Sequence, residues 1–201
     1  MLTIGAASFD LSKPIIMGIL NVTPDSFVDG GRYDTSHAAI ERVGAMVGEG
    51  VDIIDIGGQS TRPGAVAISA SDELARVLPV LKEIRQQFPN LLISVDTDKA
   101  AVAEEALALG AHMINDVSAL RGDGRMAAVV ANAGVPVVLM HAQGSPETMQ
   151  ASPHYYDVVS EVLDFCRNRI AFALSCGIEC QNLVVDPGIG FGKSVTHNLS
   201  L

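Results

Sequence analysis

At 201 residues, 48% hydrophobic and 18% charged, the chain has enough apolar matter for one sizeable core, and it is read as a single domain over residues 1–201. A net charge of −10 and a pI near 4.8, with no basic stripe, exclude nucleic acid as a general partner. No apolar run approaches membrane-spanning length, and residues 1–13 lack a charged region followed by an apolar one, so the expectation is a cytoplasmic chain with no membrane partner.

The first predicted strand is Ile15–Leu20. The stretch Gly18–Arg32 carries the loop that follows it, with Asn21 at the strand end, where its amide oxygen suits a hard cation such as Mg²⁺. Phe27 and Val28 lie on that loop beside Gly30 and Gly31; a lid that closes over a flat ligand and a loop tucked onto its own domain both fit them. A helix over Ser36–Gly48 leads to the second strand, Val51–Asp55, and to a stretch dense in donors: Ser60, Thr61, Arg62 and Pro63. Arginine offers a planar fork of N–H groups and the hydroxyls add neutral donors, a set that suits an anion.

Asp72–Phe88 carries Leu74, Val77, Leu78, Leu81, Ile84 and Phe88 at helical spacing, with Ser71 as its expected N-cap and Pro79 as an obstacle. Strand Leu91–Val95, helix Lys99–Leu109, strand His112–Asn115, helix Gly124–Ala133 and strand Val135–Met140 follow. Helix Tyr156–Ser175 and strand Leu183–Asp186 complete the series, and S-V-T-H-N-L-S-L reads as a new helix beginning. Gly50, Gly110, Gly134, Gly177 and Asn90 each stand where a helix needs a left-handed residue to end. Cys166, Cys176 and Cys180 lack the further ligands of a zinc site and read as thiols.

Six alternations of strand and helix with tight turns imply a parallel α/β sheet. Each strand ends on polar or acidic matter: Asn21, the Asp55–Arg62 stretch, Asp96, Asn115, His141 and Asp186. An open sheet gathers such residues at one switch point, whereas a (β/α)8 TIM barrel collects them from every strand end. Six units fall short of a full barrel of ~250 residues, so the chain reads as a barrel without its last two units, with exposed sheet edges.

Asp96, Asn115 and Asp186 are each explained singly by helix capping. Together they favour a ligand rich in N–H groups, because buried carboxylates need donors and no cation lies nearby in sequence. A 2-amino-4-oxo pyrimidine edge offers two adjacent donors to one carboxylate. His141 fits a strand-end site, a cap or a core histidine equally well; Met140 fits a floor under a ligand or under the loops. In Asp186–Lys193, Phe191 could wall an aryl group and Lys193 could approach an anion.

LNVTPDSFVDGG (20–31), DIGGQSTRPGA (55–65), SVDT (94–97), INDV (114–117), MHAQGSPETMQ (140–150) and DPGIGFGK (186–193), in this order, resemble the dihydropteroate synthase family. The resemblance implies a (β/α)8 barrel that joins a dihydropterin pyrophosphate to p-aminobenzoate and releases pyrophosphate in folate synthesis. It implies Asp96, Asn115 and Asp186 for the pterin and Asn21 for Mg²⁺–pyrophosphate. It also implies Thr61, Arg62 and Pro63, with Phe27 and Phe191, around p-aminobenzoate, at the site that sulfonamides occupy in the family. Ser60, Met140, Gly190 and Lys193 complete the expected substrate contacts, Asp25 and Arg62 are the candidate catalytic residues, and the full-length form is open to homodimerisation. The family's Ser-Arg-Lys and Arg-x-His segments have no counterpart here. The alternatives are a pterin-binding module like that of methyltetrahydrofolate–corrinoid methyltransferases, against which TPDSFVDGG and STRP speak, and an inactive fragment.

Overall fold

A computed structural model of the chain describes residues 1–23, 32–60, 65–144 and 148–201, with 32–35 as backbone alone. The expected alternation is present. Six parallel strands, β3 (Met17–Asn21), β4 (Ile53–Gly57), β5 (Leu92–Asp96), β6 (Met113–Asp116), β7 (Val137–Met140) and β8 (Leu183–Asp186), pair strictly in sequence order. Helices α1 (Arg32–Gly48), α2 (Ala70–Gln87), α3 (Ala100–Ala108), α4 (Met126–Ala133) and α5 (Val158–Ser175) lie between them. Sequential order without a switch point is the winding of a barrel, and six of the eight β/α units of a (β/α)8 barrel are seen.

Side chains alternate across each strand, and the two faces have separate cores. Leu20, Ile54, Ile56, Ile93, Val95, Ile114, Val137 and Leu139 pack outward against apolar residues of the helices. Ile53, Leu92, Met113 and Val138 point inward at the N-terminal end of the strands, where Ile4 meets them. Ile4 belongs to a hairpin unforeseen from the sequence, β1 (Leu2–Ile4) against antiparallel β2 (Ala7–Phe9), which plugs that end of the barrel. Met17 lines the same interior layer, so Ile19, two residues on, faces inward as well; it is 69% exposed.

Two local expectations are corrected. Ser69, two residues earlier than expected, caps α2 by accepting from the Asp72 N–H, so the helix begins at Ala70 instead of Asp72. Gly50, Gly110, Gly134 and Gly177 do adopt positive φ, but Asn90 does not. Pro89 holds Phe88 out of the helical region and ends α2 unaided, so no left-handed residue is needed. The final helix, α6 (Val195–Ser200), starts on a capping box between Ser194 and His197. Among the described residues no helix is long and apolar enough to cross a membrane, and all three cysteines are free thiols.

Candidate active site

The inward faces that are apolar at the bottom of the barrel turn polar toward the C-terminal ends. On β4, Ile53 is followed inward by Asp55 and Gly57; on β5, Leu92 by Ser94 and Asp96; on β6, Met113 by Asn115. Register sets these side by side, with Asp55 opposite Ser94, Gly57 opposite Asp96, Asp96 opposite Asn115 and Asn21 opposite Gly57. Met140 and Asp186 are paired on β7 and β8. The sheet therefore gathers Asn21, Asp96, Asn115, Met140 and Asp186 on one face.

It also brings in Asp55, which sequence reasoning treated only as the edge of a loop. Asp55 is 4% exposed; Asn115 Nδ2 donates to its Oδ2 at 2.9 Å, while its Oδ1 and the neighbouring Ser94 hydroxyl are buried with no hydrogen-bond partner among the described residues. Burial raises the Asp55 carboxyl above its usual value, partly offset by the Asn115 donor and by the Ser94 hydroxyl, which lies near enough to favour the charge without meeting hydrogen-bond geometry. Asp96 is raised well above the carboxylate range, by burial first and then by the charges of Asp55, Glu73, Asp116 and Asp98. Among the described residues no lysine or arginine pairs with Asp55, Asp96 or Asp186. Gly57 leaves a gap here: a Cβ built on it would stand 3.2 Å from Asn21 Oδ1 and 3.5 Å from Asp96 Oδ2.

Asn115 is held from behind. After it the chain turns sharply, with Ala119 and Leu120 at φ of 53° and 63°, a region that non-glycine residues rarely occupy. Asp116, fully buried, accepts from the N–H groups of Ser118 and Leu120 at 2.8 Å each, and Arg169 on α5 donates to the carbonyls of Ala119 and Leu120. Such strain persists only where the surroundings over-determine it. Asp116→Ala strands two N–H groups, one of them buried, and is expected to lower stability by about 2–3 kcal/mol in a denaturant titration.

The loop after β8 is seated against the loop after β7. Asp186 accepts the Gly188 N–H at 2.7 Å, while Phe191 is half-buried and Gly190 exposed. Met140 is 4% exposed, His141 6% and Lys193 3%. The Lys193 ammonium turns into the protein, onto His141 and nearby carbonyls, away from the anion contact expected of it. Ser60 is half-buried at the start of the second loop. Asp25, Phe27, Thr61, Arg62 and Pro63 lie outside the described residues.

Below that loop, Gln59 Oε1 accepts from the Ile68 N–H at 3.0 Å and from Lys99 Nζ at 2.9 Å, and Lys99 also reaches the fully buried Glu73 at 2.6 Å. A polar end of this kind, rich in acceptors and built from successive strand ends, suits a flat heterocycle with several N–H donors.

Comparison with known proteins gives the same direction. The family description "Pterin binding enzyme" matches residues 17–201. Dihydropteroate synthase of Escherichia coli (strain K12) is 49% identical over 194 residues, covering 96% of this chain and 68% of the relative. Dihydropteroate synthase of Yersinia pestis, in a complex with a sulfonamide drug, superposes with a TM-score of 0.92 at 46% identity, covering 100% of this chain and 72% of that one. The enzyme of Xanthomonas albilineans with 4-aminobenzoic acid superposes at 0.87 with 49% identity, covering 95% and 67%. The chain belongs to the pterin-binding enzymes and, among them, to the dihydropteroate synthases.

Proposed function

We propose that the chain condenses a dihydropterin-CH₂-pyrophosphate with p-aminobenzoate to give dihydropteroate and pyrophosphate. The observation that carries this reading is the group of Asp55, Asp96, Asn115 and Asp186 on one barrel face, without a cationic partner among the described residues. Carboxylates so placed call for a ligand that brings its own donors, and the 2-amino-4-oxo edge of a pterin does. Departure of pyrophosphate leaves an electron-deficient methylene on the pterin. The arylamine nitrogen forms the new C–N bond there and loses a proton, while the C–O bond to pyrophosphate breaks with its electrons going to the leaving group. In this reading Phe191 walls the aryl ring, and exclusion of water by the loops protects the methylene from hydrolysis.

Asn21 fits a hard cation, since its amide oxygen is exposed at the strand end beside the gap at Gly57. Mg²⁺ bound there would neutralise charge on the pyrophosphate oxygens. With Arg62, Asp25 and Thr61 this sets the reading of the substrate loops. The setting in which we place the reaction is the cytoplasm, with a homodimer as the state of the full-length form.

The test is to mix chain, dihydropterin pyrophosphate, p-aminobenzoate and Mg²⁺ and to measure pyrophosphate and dihydropteroate together; equal amounts support condensation. Pterin binding with no pyrophosphate released would instead indicate a binding module. Replacing Arg62 with Ala is expected to weaken p-aminobenzoate capture about tenfold to a hundredfold while sparing pterin binding, as lost charge-assisted bonds to one ligand would. Equal losses for the two ligands, read by calorimetry, would show the loop to be scaffold.

A further inference from the structure

The contact between the last two described loops is built closely. Lys193 Nζ, on a side chain 3% exposed, lies 2.9 Å from His141 Nδ1, 2.8 Å from the Gly188 carbonyl, 3.1 Å from that of Phe191 and 3.3 Å from that of His141. Its three protons thus serve four acceptors, one on each side of Phe191's turn and two on the end of β7. The backbones touch as well: a Cβ on Gly188 would fall 2.0 Å from the His141 carbonyl oxygen and one on Gly192 2.3 Å from that of Gln143, both at positive φ. Tyr155 donates to the Gly192 carbonyl at 2.8 Å, and Gln150 donates to that of Gly190.

We propose that Lys193 is a positioning residue: its ammonium ties the Gly188–Lys193 turn to His141, so that Phe191 and Asp186 are presented at the mouth. The proposal rests on the condensation reading above for what Phe191 faces, and on geometry alone for the tie. His141 must accept through Nδ1, so its ring must stay neutral. Burial first, and the Lys193 charge second, hold its pKa down to about 4. Lys193 is itself lowered to about 8 by burial, against the opposing pull of Asp186 and Cys166.

The groups around the Lys193–His141 pair are Asp186, Cys166 and Tyr155, with Arg121 and Glu161 acting on the imidazole and His197 edge-on to Tyr155. A protonated Lys193 has three donors. Above its pKa it keeps two, and one of the contacts that join His141 to the turn is lost. The tie is therefore complete below about pH 8 and slackens above it.

The experiment uses the whole chain with its wild-type residue, Lys193→Arg and Lys193→Met, from pH 6.5 to 9.5. It measures p-aminobenzoate affinity, and amide exchange of Gly188–Phe191 corrected for the intrinsic effect of pH. Neither group of p-aminobenzoate titrates in this range. Expected for the wild type is a threefold to tenfold fall in both affinity and protection across about pH 8, the loss of one hydrogen bond. Arginine, which stays charged, should flatten both curves, and methionine should give weak affinity and low protection at every pH.

A flat wild-type curve, or an arginine variant that titrates like the wild type, would overturn the proposal; so would a methionine variant with wild-type affinity. If the methionine variant does not fold, the arginine comparison decides. Absence of p-aminobenzoate binding at every pH would sink the condensation reading, and the exchange profiles would still decide for or against the tie.

Discussion

Replacing Asp96 with Asn is expected to raise the thermal stability of the empty chain and, in the same variant, to weaken pterin binding by about a hundredfold or more. Both effects come from one circumstance. Asp96 sits among Asp55, Glu73, Asp116 and Asp98, and burial together with those charges raises its carboxyl well above the usual value. The folded chain then holds this proton more tightly than the unfolded chain. Asp96 thus costs nothing below the unfolded value near 3.8, and its cost grows as pH rises from there through the raised folded value. Asparagine removes the cost, so the variant should melt higher than the wild type at pH 7 and the gap should close toward pH 4.

Binding moves the other way. A carboxylate accepts two N–H groups from a pterin edge, whereas asparagine turns an NH₂ toward one of them. Losing a hydrogen bond to a charged group costs about 1.5–3 kcal/mol, and an opposed donor adds to it. Paired melting curves at pH 4 and 7 with pterin titration at pH 7 check the prediction. A variant that binds as tightly as the wild type would remove Asp96 from the site; one that melts lower at pH 7 would mean that Asp96 supports the fold.

Most of this site was legible because barrel strands place their last inward residue at the mouth. Asp96 directly follows one predicted strand, Asn115 and Asp186 end two others, and all three are found there. Asp55 was missed for a physical reason. It lies within the apolar run V-D-I-I-D-I, which reads as a strand buried on both faces, and only the alternation from Ile53 to Asp55 shows that the second aspartate faces the interior. The hairpin Leu2–Phe9 was invisible for want of length, since two strands of three residues carry no period. Lys193 looked like an anion contact because sequence shows its charge and not its direction. What turns it inward is a set of carbonyls brought together by Gly188 and by a loop some fifty residues earlier. The loops bearing Asp25, Phe27, Arg62 and their neighbours rest on the resemblance of their motifs alone.

Asn115 gives the other large effect, and it tests whether the polar floor exists for folding or for ligand. Asn115→Ala removes the 2.9 Å donor to Asp55, whose remaining oxygen already lacks a partner among the described residues. A carboxylate 4% exposed then keeps only the neighbouring Ser94 hydroxyl, and the loss should reach about 2–3 kcal/mol at pH 8. Because Asn115 is a group that lowers the Asp55 pKa, its removal raises that pKa further. The variant's stability deficit should therefore shrink as pH falls toward 4, where Asp55 is protonated and needs less. The pair Asp55→Leu and Asn115→Leu together should recover at least wild-type stability, since apolar residues of similar size avoid the desolvation cost that buried polar pairs bear. Pterin affinity should be lost in both the single and the double variant. Recovered stability without recovered binding would show that this face keeps its carboxylate and amide for the ligand, at a cost to the fold. A double variant no more stable than Asn115→Ala would show instead that the barrel itself depends on the pair.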